Sequence, residues 1–305
     1  MNSVALYTIT VAIWGSTWLA IRYQLGTVAP ELSIAYRLVL ASAILFAYSA
    51  VKRLPLRFSR KAHLSFGAQA LFLYSLNYLA IYLAEAYLPS GLVAIVFSTI
   101  IFLNVVFGSV ILRLKVRPYV LYGGLLGMAG LALVFLPQLQ SSDLSGGART
   151  GLLLALTGTI LASLGNITSA RNQKRGLPVV QTNAYGMLYG ALIMIVVSSL
   201  RGASLEFDTS PSYLLSLAYL ALFSSVIGFG AYLTLLGRIG SDRAAYVTVL
   251  FPMVALALST WLEGLSWSFP QIVGVGLALF GNLFALGRIR ELRIRRQWKA
   301  ASAAD

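Results

Sequence analysis

Residues 88–112 read LPSGLVAIVFSTIIFLNVVFGSVIL and contain no charged side chain. A membrane-spanning α-helix needs about 20 mostly apolar residues, so this stretch is long enough to cross a bilayer. The next five residues, RLKVR at 113–117, carry three positive charges. An uncharged run followed by a basic cluster is typical of a transmembrane helix that ends on the cytoplasmic side.

The same pattern recurs along the whole chain of 305 residues. Hydrophobic residues make up 58% of it and charged residues 10%, whereas soluble domains carry roughly 25% charged residues. The apolar runs are continuous, and spanning β-strands would instead alternate. The predicted fold is therefore an all-α polytopic membrane protein, with ten transmembrane helices at 5–22, 32–51, 64–84, 88–112, 118–137, 149–170, 181–200, 212–237, 243–262 and 269–288.

The distribution of positive charge predicts the orientation in the membrane. The net charge is +14, which on a soluble protein would suggest a nucleic-acid partner. Here 19 of the 23 Lys and Arg residues fall in the tail and in connections on one side of the predicted helices. Positive residues concentrate on the cytoplasmic side. We therefore expect a bacterial-type inner-membrane protein with both termini cytoplasmic, no nucleic-acid partner, and a basic tail at 291–305 that contacts anionic membrane lipid.

The two halves of the chain resemble each other. Arg22 falls on Arg171 at an offset of 149 residues, and Ser90 falls on Ser241 at an offset of 151. We predict one five-helix repeat in residues 1–145 and a second in 146–290. Because five is odd, the second repeat enters the membrane from the opposite side, which is the layout of many alternating-access transporters. The alternative is a symmetric bundle without a transport function.

Enzyme motifs are absent from the sequence. There is no cysteine, one histidine, no H-E-x-x-H motif and no Gly-Lys pair of a P-loop. All four aspartates fall in predicted loops or in the tail, so an intramembrane aspartyl protease is excluded as well. The sequence predicts no enzymatic activity, no cofactor and no metal site.

Short motifs in both halves resemble those of a transporter family. Trp14-Gly15-Ser16 resembles the W-G-S motif of the EamA family, in the drug/metabolite transporter superfamily. Arg37 and Ala41 match that family's R-x-x-x-A pattern in the second helix. Pro252 followed by Glu263 resembles its proline-then-glutamate signature in the ninth helix. The resemblance covers essentially the whole chain and implies ten helices in two sets of five.

The first half departs from the family pattern. It lacks the proline expected near Ile101 and the glutamate expected near Leu112, which argues against a strictly symmetric mechanism. Within the family, the chain looks most like YddG-type exporters of aromatic and other amino acids.

Aromatic and polar side chains share faces of three predicted helices. In the third helix, Tyr74, Tyr78 and Tyr82 follow at four-residue spacing, and pairs share a face of the first and sixth helices. Small-molecule pockets are lined by aromatic side chains and a few polar groups. The candidate substrate-binding residues are Trp14, Trp18, Tyr74, Asn77, Tyr78, Tyr82, Ser163 and Asn166. The alternatives are an interfacial belt or helix packing for the aromatic residues, and interhelical hydrogen bonds for the polar ones.

The placement of charged residues predicts a largely uncharged interior. Glu85 and Glu263 lie at the outer ends of their helices, and Arg37 lies several residues into the second helix. Intramembrane charge usually marks ion or proton pathways. We therefore expect neutral or zwitterionic substrates and movement that depends weakly on a proton gradient.

The sequence favours an inner-membrane exporter of amino acids, aromatic and other neutral ones, that works by alternating access. The alternatives are a carrier of a nucleoside, sugar or drug-like cation and, from another class, a membrane enzyme or a structural subunit. A monomer is sufficient for this function, and the sequence leaves the oligomeric state open.

Overall fold

The computed structural model describes residues 3–113, 118–140, 147–232, 235 and 247–285. Within these ranges the chain forms ten helices and no strand. They are α1 Ser3–Arg22, α2 Pro30–Val51, α3 Arg60–Glu85, α4 in two pieces (Ser90–Ser98 and Ile100–Leu112), α5 Pro118–Gln140, α6 Gly147–Lys174, α7 Val179–Leu200, α8 Pro211–Tyr232, α9 Val247–Leu262 and α10 Phe269–Ala285.

The predicted all-α membrane fold is confirmed. Seven of the described helices are long and apolar enough to cross a membrane, and three shorter apolar stretches fall within α5, α9 and α10. The tail at 291–305, the repeat position Ser241 and the predicted boundary between the eighth and ninth helices lie outside the described residues.

The contacts between helix ends show that the two halves have opposite topology. The end of α1 lies beside the end of α3, because Arg22 Nη1 donates to the carbonyl of Glu85 at 2.6 Å. The start of α6 packs on the same side, with Gly151 against Leu88 just beyond α3. The end of α6 lies at the start of α3, where Asn172 Nδ2 approaches the carbonyl of Ser65. The first helices of the two halves, α1 and α6, therefore run in opposite directions.

The ends of the helices define two sides of the bundle. The side that holds Glu31, Glu85 and Glu263 is called the glutamate side here. The opposite side, which holds Lys52 and Lys174, is called the basic side.

Equivalent helices of the two halves carry the same backbone irregularity. Residues 70–76 of α3 and 219–228 of α8 are π-helical, and the two segments begin 149 residues apart. This spacing equals one of the repeat offsets in the sequence. π-helical turns are rare and frequently occur at functional sites, so these segments direct attention to the region where α3 and α8 meet the rest of the bundle.

The fourth helix is interrupted, whereas the ninth is continuous and contains a proline. α9 contains Pro252, whereas α4 is interrupted at Thr99 without a proline. The hydroxyls of Thr99 and Ser98 donate to backbone carbonyls three residues earlier, at 2.7 Å each. Side-chain hydroxyls that compete for backbone carbonyls bend or weaken a helix. The first half lacks the family's proline near Ile101, and its fourth helix is broken at Thr99 instead.

Candidate functional site

Arg37 places a guanidinium inside the bundle. It is the eighth residue of α2 and only 2% exposed, roughly 10 Å from the start of the helix at the rise of an α-helix. Its Nε donates to the hydroxyl of Ser225 at 3.1 Å. Its Nη2 donates to the hydroxyls of Ser224 and Tyr78, at 3.2 and 3.3 Å. Four helices meet here, because Thr17 of α1 also donates to Ser224, at 3.0 Å.

These five residues, Thr17, Arg37, Tyr78, Ser224 and Ser225, form what is called the Arg37 cluster below. The two serines belong to the π-helical segment of α8, in the second half, and the other three residues belong to the first half. The cluster therefore lies on the interface between the two repeats, where inverted-repeat transporters place the substrate.

Arg37 forms no ion pair within 4 Å in the described part of the chain. The two ion pairs found there are Arg22 with Glu263 and Arg201 with Glu31. The ring of Tyr78 lies 4.4 Å from the guanidinium carbon in a cation–π contact, which compensates only part of the cost of burying a charge. The arrangement is suited to an anionic group that completes the neutralisation.

Aromatic rings surround α1 on both sides of Thr17. Trp14 packs against Phe229 and Tyr232 of α8, with ring centroids 5.4 and 5.0 Å apart. One turn further along, Trp18 packs against Phe97 of α4 and Phe251 of α9. Both tryptophans thus join α1 to other helices of the bundle.

The W-G-S motif fits α1 between two helices of the second half. A methyl group on Gly15 would lie 2.5 Å from the Cβ of Val254, so only glycine permits this approach to α9. The hydroxyl of Ser16 forms a hydrogen bond of 2.6 Å with the hydroxyl of Tyr219, which begins the π-helical segment of α8. The motif has a packing role in this structure.

Tyr74 and Tyr82 are both completely buried. Tyr74 donates to the side-chain oxygen of Asn183 at 2.9 Å, beside Gln69, and so joins α3 to α7. Tyr82 lies close to Arg37, although its hydroxyl makes no hydrogen bond of standard geometry.

Asn77, Ser163 and Asn166 form no hydrogen bond with a residue of the Arg37 cluster among the described contacts. Ser163 and Asn166 of α6 both donate to the side-chain oxygen of Asn104 in α4, at 2.8 and 3.4 Å. Asn77 donates to the carbonyl of Leu73 in its own helix. Asn104 was not singled out from the sequence, because it is the one amide side chain within a long apolar run.

The eight predicted residues therefore do not converge on one point. The structure places Tyr78 in the Arg37 cluster, Tyr82 beside it, and Trp14 and Trp18 on the helix that contributes Thr17. Arg37 was not among the binding residues predicted from the sequence. An intramembrane charge is itself a signal of function, and it could have identified Arg37.

The expectation of a largely uncharged interior is wrong. Arg37 and Glu85 are both buried, at 2% and 0% exposure. Glu85 does end its helix, as the sequence predicted, but neighbouring helix ends cover it. A position at the end of a helix does not by itself show that a side chain reaches water.

Two stretches of the chain, residues 2–136 and 149–287, match the EamA-like transporter family. This chain belongs to the EamA-like transporter family. Each half carries one copy of the family domain, in agreement with the five-plus-five arrangement. The first match ends and the second begins near the predicted division at 145–146. The position of that division stays a prediction.

Relatives of similar length come from several bacteria. The chain is 29% identical over 290 residues to the uncharacterized inner membrane transporter YedA of Escherichia coli K12, covering 93% of this chain and 90% of that protein. It is 25% identical over 304 residues to a Salmonella typhimurium protein named as a probable amino-acid metabolite efflux pump, covering 95% and 97%. The chain is thus a multi-pass inner-membrane transporter of small molecules and not an enzyme.

A solved crystal structure shares the fold. Its TM-score is 0.68 at 18% sequence identity, and the similarity covers 95% of this chain and 98% of the other. At this identity the similarity shows the architecture alone.

Proposed function

We propose that this transporter exports amino acids, aromatic and other neutral ones, and that Arg37 binds the carboxylate of the substrate. The observation that carries the proposal is the buried guanidinium with no carboxylate within ion-pair distance among the described residues. A carboxylate can accept two parallel hydrogen bonds from a guanidinium, which adds geometric specificity to the charge attraction. The described hydrogen bonds use Nε and Nη2 and leave Nη1 without one.

The surrounding residues support an amino-acid substrate. Tyr78 and Tyr82 of α3, with Trp14 and Trp18 of α1, would supply apolar and aromatic surface for the substrate's side chain. We assign Tyr74, Asn77, Ser163 and Asn166 to the packing of helices around that site. The name of the Salmonella typhimurium relative points to the same substrate class.

The orientation in the membrane follows from the charge pattern. We propose that the basic side is cytoplasmic and that both termini lie there, in accordance with the distribution of Lys and Arg. Alternating access would then expose the Arg37 cluster first to the basic side and next to the glutamate side. One ion pair and two hydrogen bonds join Arg22, Glu263 and Ser90 on the glutamate side, and these contacts would have to break for that side to open.

Efflux from proteoliposomes tests the proposal. Vesicles loaded with radiolabelled phenylalanine, alanine, phenethylamine or a nucleoside should release the two amino acids and retain the other two. Phenethylamine keeps the ring and the amino group of phenylalanine and lacks only the carboxylate. Export of phenethylamine or the nucleoside at the rate of phenylalanine would contradict the proposal.

Variants of Arg37 then test the role of the guanidinium. Arg37→Gln should lower phenylalanine efflux by at least about tenfold, since hydrogen bonds to charged groups contribute roughly 1.5–3 kcal/mol. Arg37→Lys keeps the charge and loses the planar fork, so it should retain part of the activity. Arg171→Gln, at an exposed position on the basic side, is the matched control and should transport normally.

A further inference from the structure

Glu85 is a buried carboxyl group without a partner. It is the last residue of α3 and is 0% exposed, and neither of its carboxylate oxygens has a hydrogen-bond partner in the described structure. Arg22 lies beside it but donates Nη1 to the backbone carbonyl of Glu85. The Nε of Arg22 lies 3.3 Å from Glu263, with which it forms an ion pair.

Glu263, by contrast, has partners for one of its oxygens and an ion pair at the other, although its Oε1 accepts no hydrogen bond of standard geometry. Its Oε2 accepts from the backbone N–H of Ser90 at 3.0 Å and from the Ser90 hydroxyl at 2.7 Å, and Arg22 balances its charge. Two carboxyl groups therefore meet on the glutamate side, and the neighbouring arginine pairs with only one of them. An ionised carboxylate buried without a partner costs several kcal/mol, which a bound proton removes.

We propose that Glu85 is a proton-binding site and that it binds its proton together with the carboxylate of the substrate at Arg37. The inference rests on the proposed function, because it needs an anionic group at the Arg37 cluster. The proton comes from water on the side that is open at that stage and adds to one oxygen of Glu85. No other bond changes.

The positions of Arg37 and Glu85 explain why the two binding events would be linked. Glu85 follows Tyr78 by seven residues on the same face of α3, about 10 Å along the helix, and Tyr82 lies between them. An ionised Glu85 would oppose the attraction of Arg37 for a second anion. A protonated Glu85 leaves the charge of Arg37 uncompensated, so the substrate carboxylate binds more tightly. Because the coupling between two binding events is reciprocal, binding of the substrate must also favour protonation of Glu85.

We assign the proton to Glu85 because the other charged groups around it are already balanced or remain charged. The charged or titratable side chains around it are Arg22 of α1, Arg37 of α2, Tyr82 of its own helix and Glu263 after α9. Arg22 balances Glu263, and the part of α6 that packs on α3 presents uncharged residues such as Gly158.

Proton uptake on binding tests the linkage. The purified full-length protein in a weakly buffered detergent solution with a pH-indicating dye is titrated with phenylalanine. At the pH where Glu85 is partly ionised, the wild type should take up about half a proton per phenylalanine bound, as a tenfold linkage requires, and Glu85→Gln should take up none. As the pH rises through the titration of Glu85, the wild-type Kd should rise roughly tenfold, a coupling of about 1.4 kcal/mol. The Kd of Glu85→Gln should stay constant at the tighter value. Glu206→Gln, at an exposed residue, is the control and should behave as the wild type.

Infrared spectroscopy tests the proton without any substrate, at a pH below that of the dye titration, where Glu85 is protonated in the free protein as well. The wild type should show the carbonyl stretch of a protonated carboxyl group, which Glu85→Gln should lose and Glu263→Gln should keep. Equal proton uptake by the wild type and Glu85→Gln, or a band that persists in Glu85→Gln, would overturn the inference. If the wild type does not bind phenylalanine, the proposed function fails, and the infrared comparison by itself decides whether Glu85 holds a proton.

Discussion

Ser75 and Ser225 occupy equivalent positions in the two halves, 150 residues apart. Each hydroxyl donates to the backbone carbonyl five residues earlier within a π-helical segment, at 2.9 Å for Ser75 and 3.0 Å for Ser225. Only at Ser225 does the hydroxyl also accept a hydrogen bond from Arg37, at 3.1 Å. The repeat has therefore kept the backbone geometry in both halves and placed the positive charge in one.

Replacement of each serine should distinguish the backbone hydrogen bond that both form from the contact with Arg37 that only Ser225 makes. Ser225→Ala should raise the KM for phenylalanine efflux about tenfold with little change in maximal rate, because Arg37 loses an acceptor that positions it. Ser75→Ala should leave the KM unchanged. Efflux kinetics in proteoliposomes provide the measurement, and Ser225→Thr should restore the KM. Equal KM values for the two alanine variants would show that Ser225 does not position Arg37.

Tyr78 and Tyr82 of α3 should both affect substrate preference. Tyr78→Ala or Tyr82→Ala should weaken transport of phenylalanine about two- to tenfold more than transport of alanine, since an aromatic pair contributes roughly 0.5–1.5 kcal/mol. Tyr78→Phe should keep most of this preference. Competition between the two amino acids in efflux assays measures it. A uniform loss for both substrates, with a lower melting temperature, would indicate packing instead.

Tyr74 provides the contrasting case in the same helix. Tyr74→Phe removes the hydrogen bond to the buried Asn183 and should destabilise the protein by about 1–3 kcal/mol. The ratio of phenylalanine to alanine transport should stay as in the wild type. A thermal melt in detergent and the competition assay together check this expectation, and a changed ratio would place Tyr74 at the substrate.

Gly15 should be intolerant of any side chain. Gly15→Ala puts a methyl group 2.5 Å from Val254 and should cost about 1–3 kcal/mol through overpacking. Gly67→Ala is the matched control, because no atom lies within 4 Å of its added methyl group. Alanine is also the better helix former by roughly 1 kcal/mol, so Gly67→Ala should raise the melting temperature slightly. Similar melting temperatures for the two variants would refute the close packing of α1 on α9.

Cysteine labelling tests the orientation, and the cysteine-free chain offers a clean background. Ser59 precedes α3 on the basic side, and Ser204 lies in the connection after α7 on the glutamate side; both are exposed. Ser59→Cys should react with a membrane-impermeant maleimide from the cytoplasmic face and Ser204→Cys from the opposite face. Ser141→Cys, outside the described residues, should label with Ser204→Cys. Labelling of all three from one face would refute the topology.

The sequence determined the membrane fold because its signals are local. A helix satisfies all its backbone hydrogen bonds internally, so each long apolar run has one structural solution in a bilayer. The odd number of helices in each half then requires opposite orientations of the two repeats. The absence of cysteine and the single histidine likewise argued against thiol and imidazole chemistry without reference to any contact.

Only the tertiary structure decided which residues meet. Arg37 and Ser225 are 188 residues apart, and no local pattern shows that one accepts a hydrogen bond from the other. The burial of Glu85 likewise depends on Arg22 and Glu263, which come from other helices. A charge at a helix end costs little in water and several kcal/mol when neighbouring helices cover it. The sequence fixes where a charge lies along its helix, whereas the packing of distant helices fixes whether water or a partner reaches it.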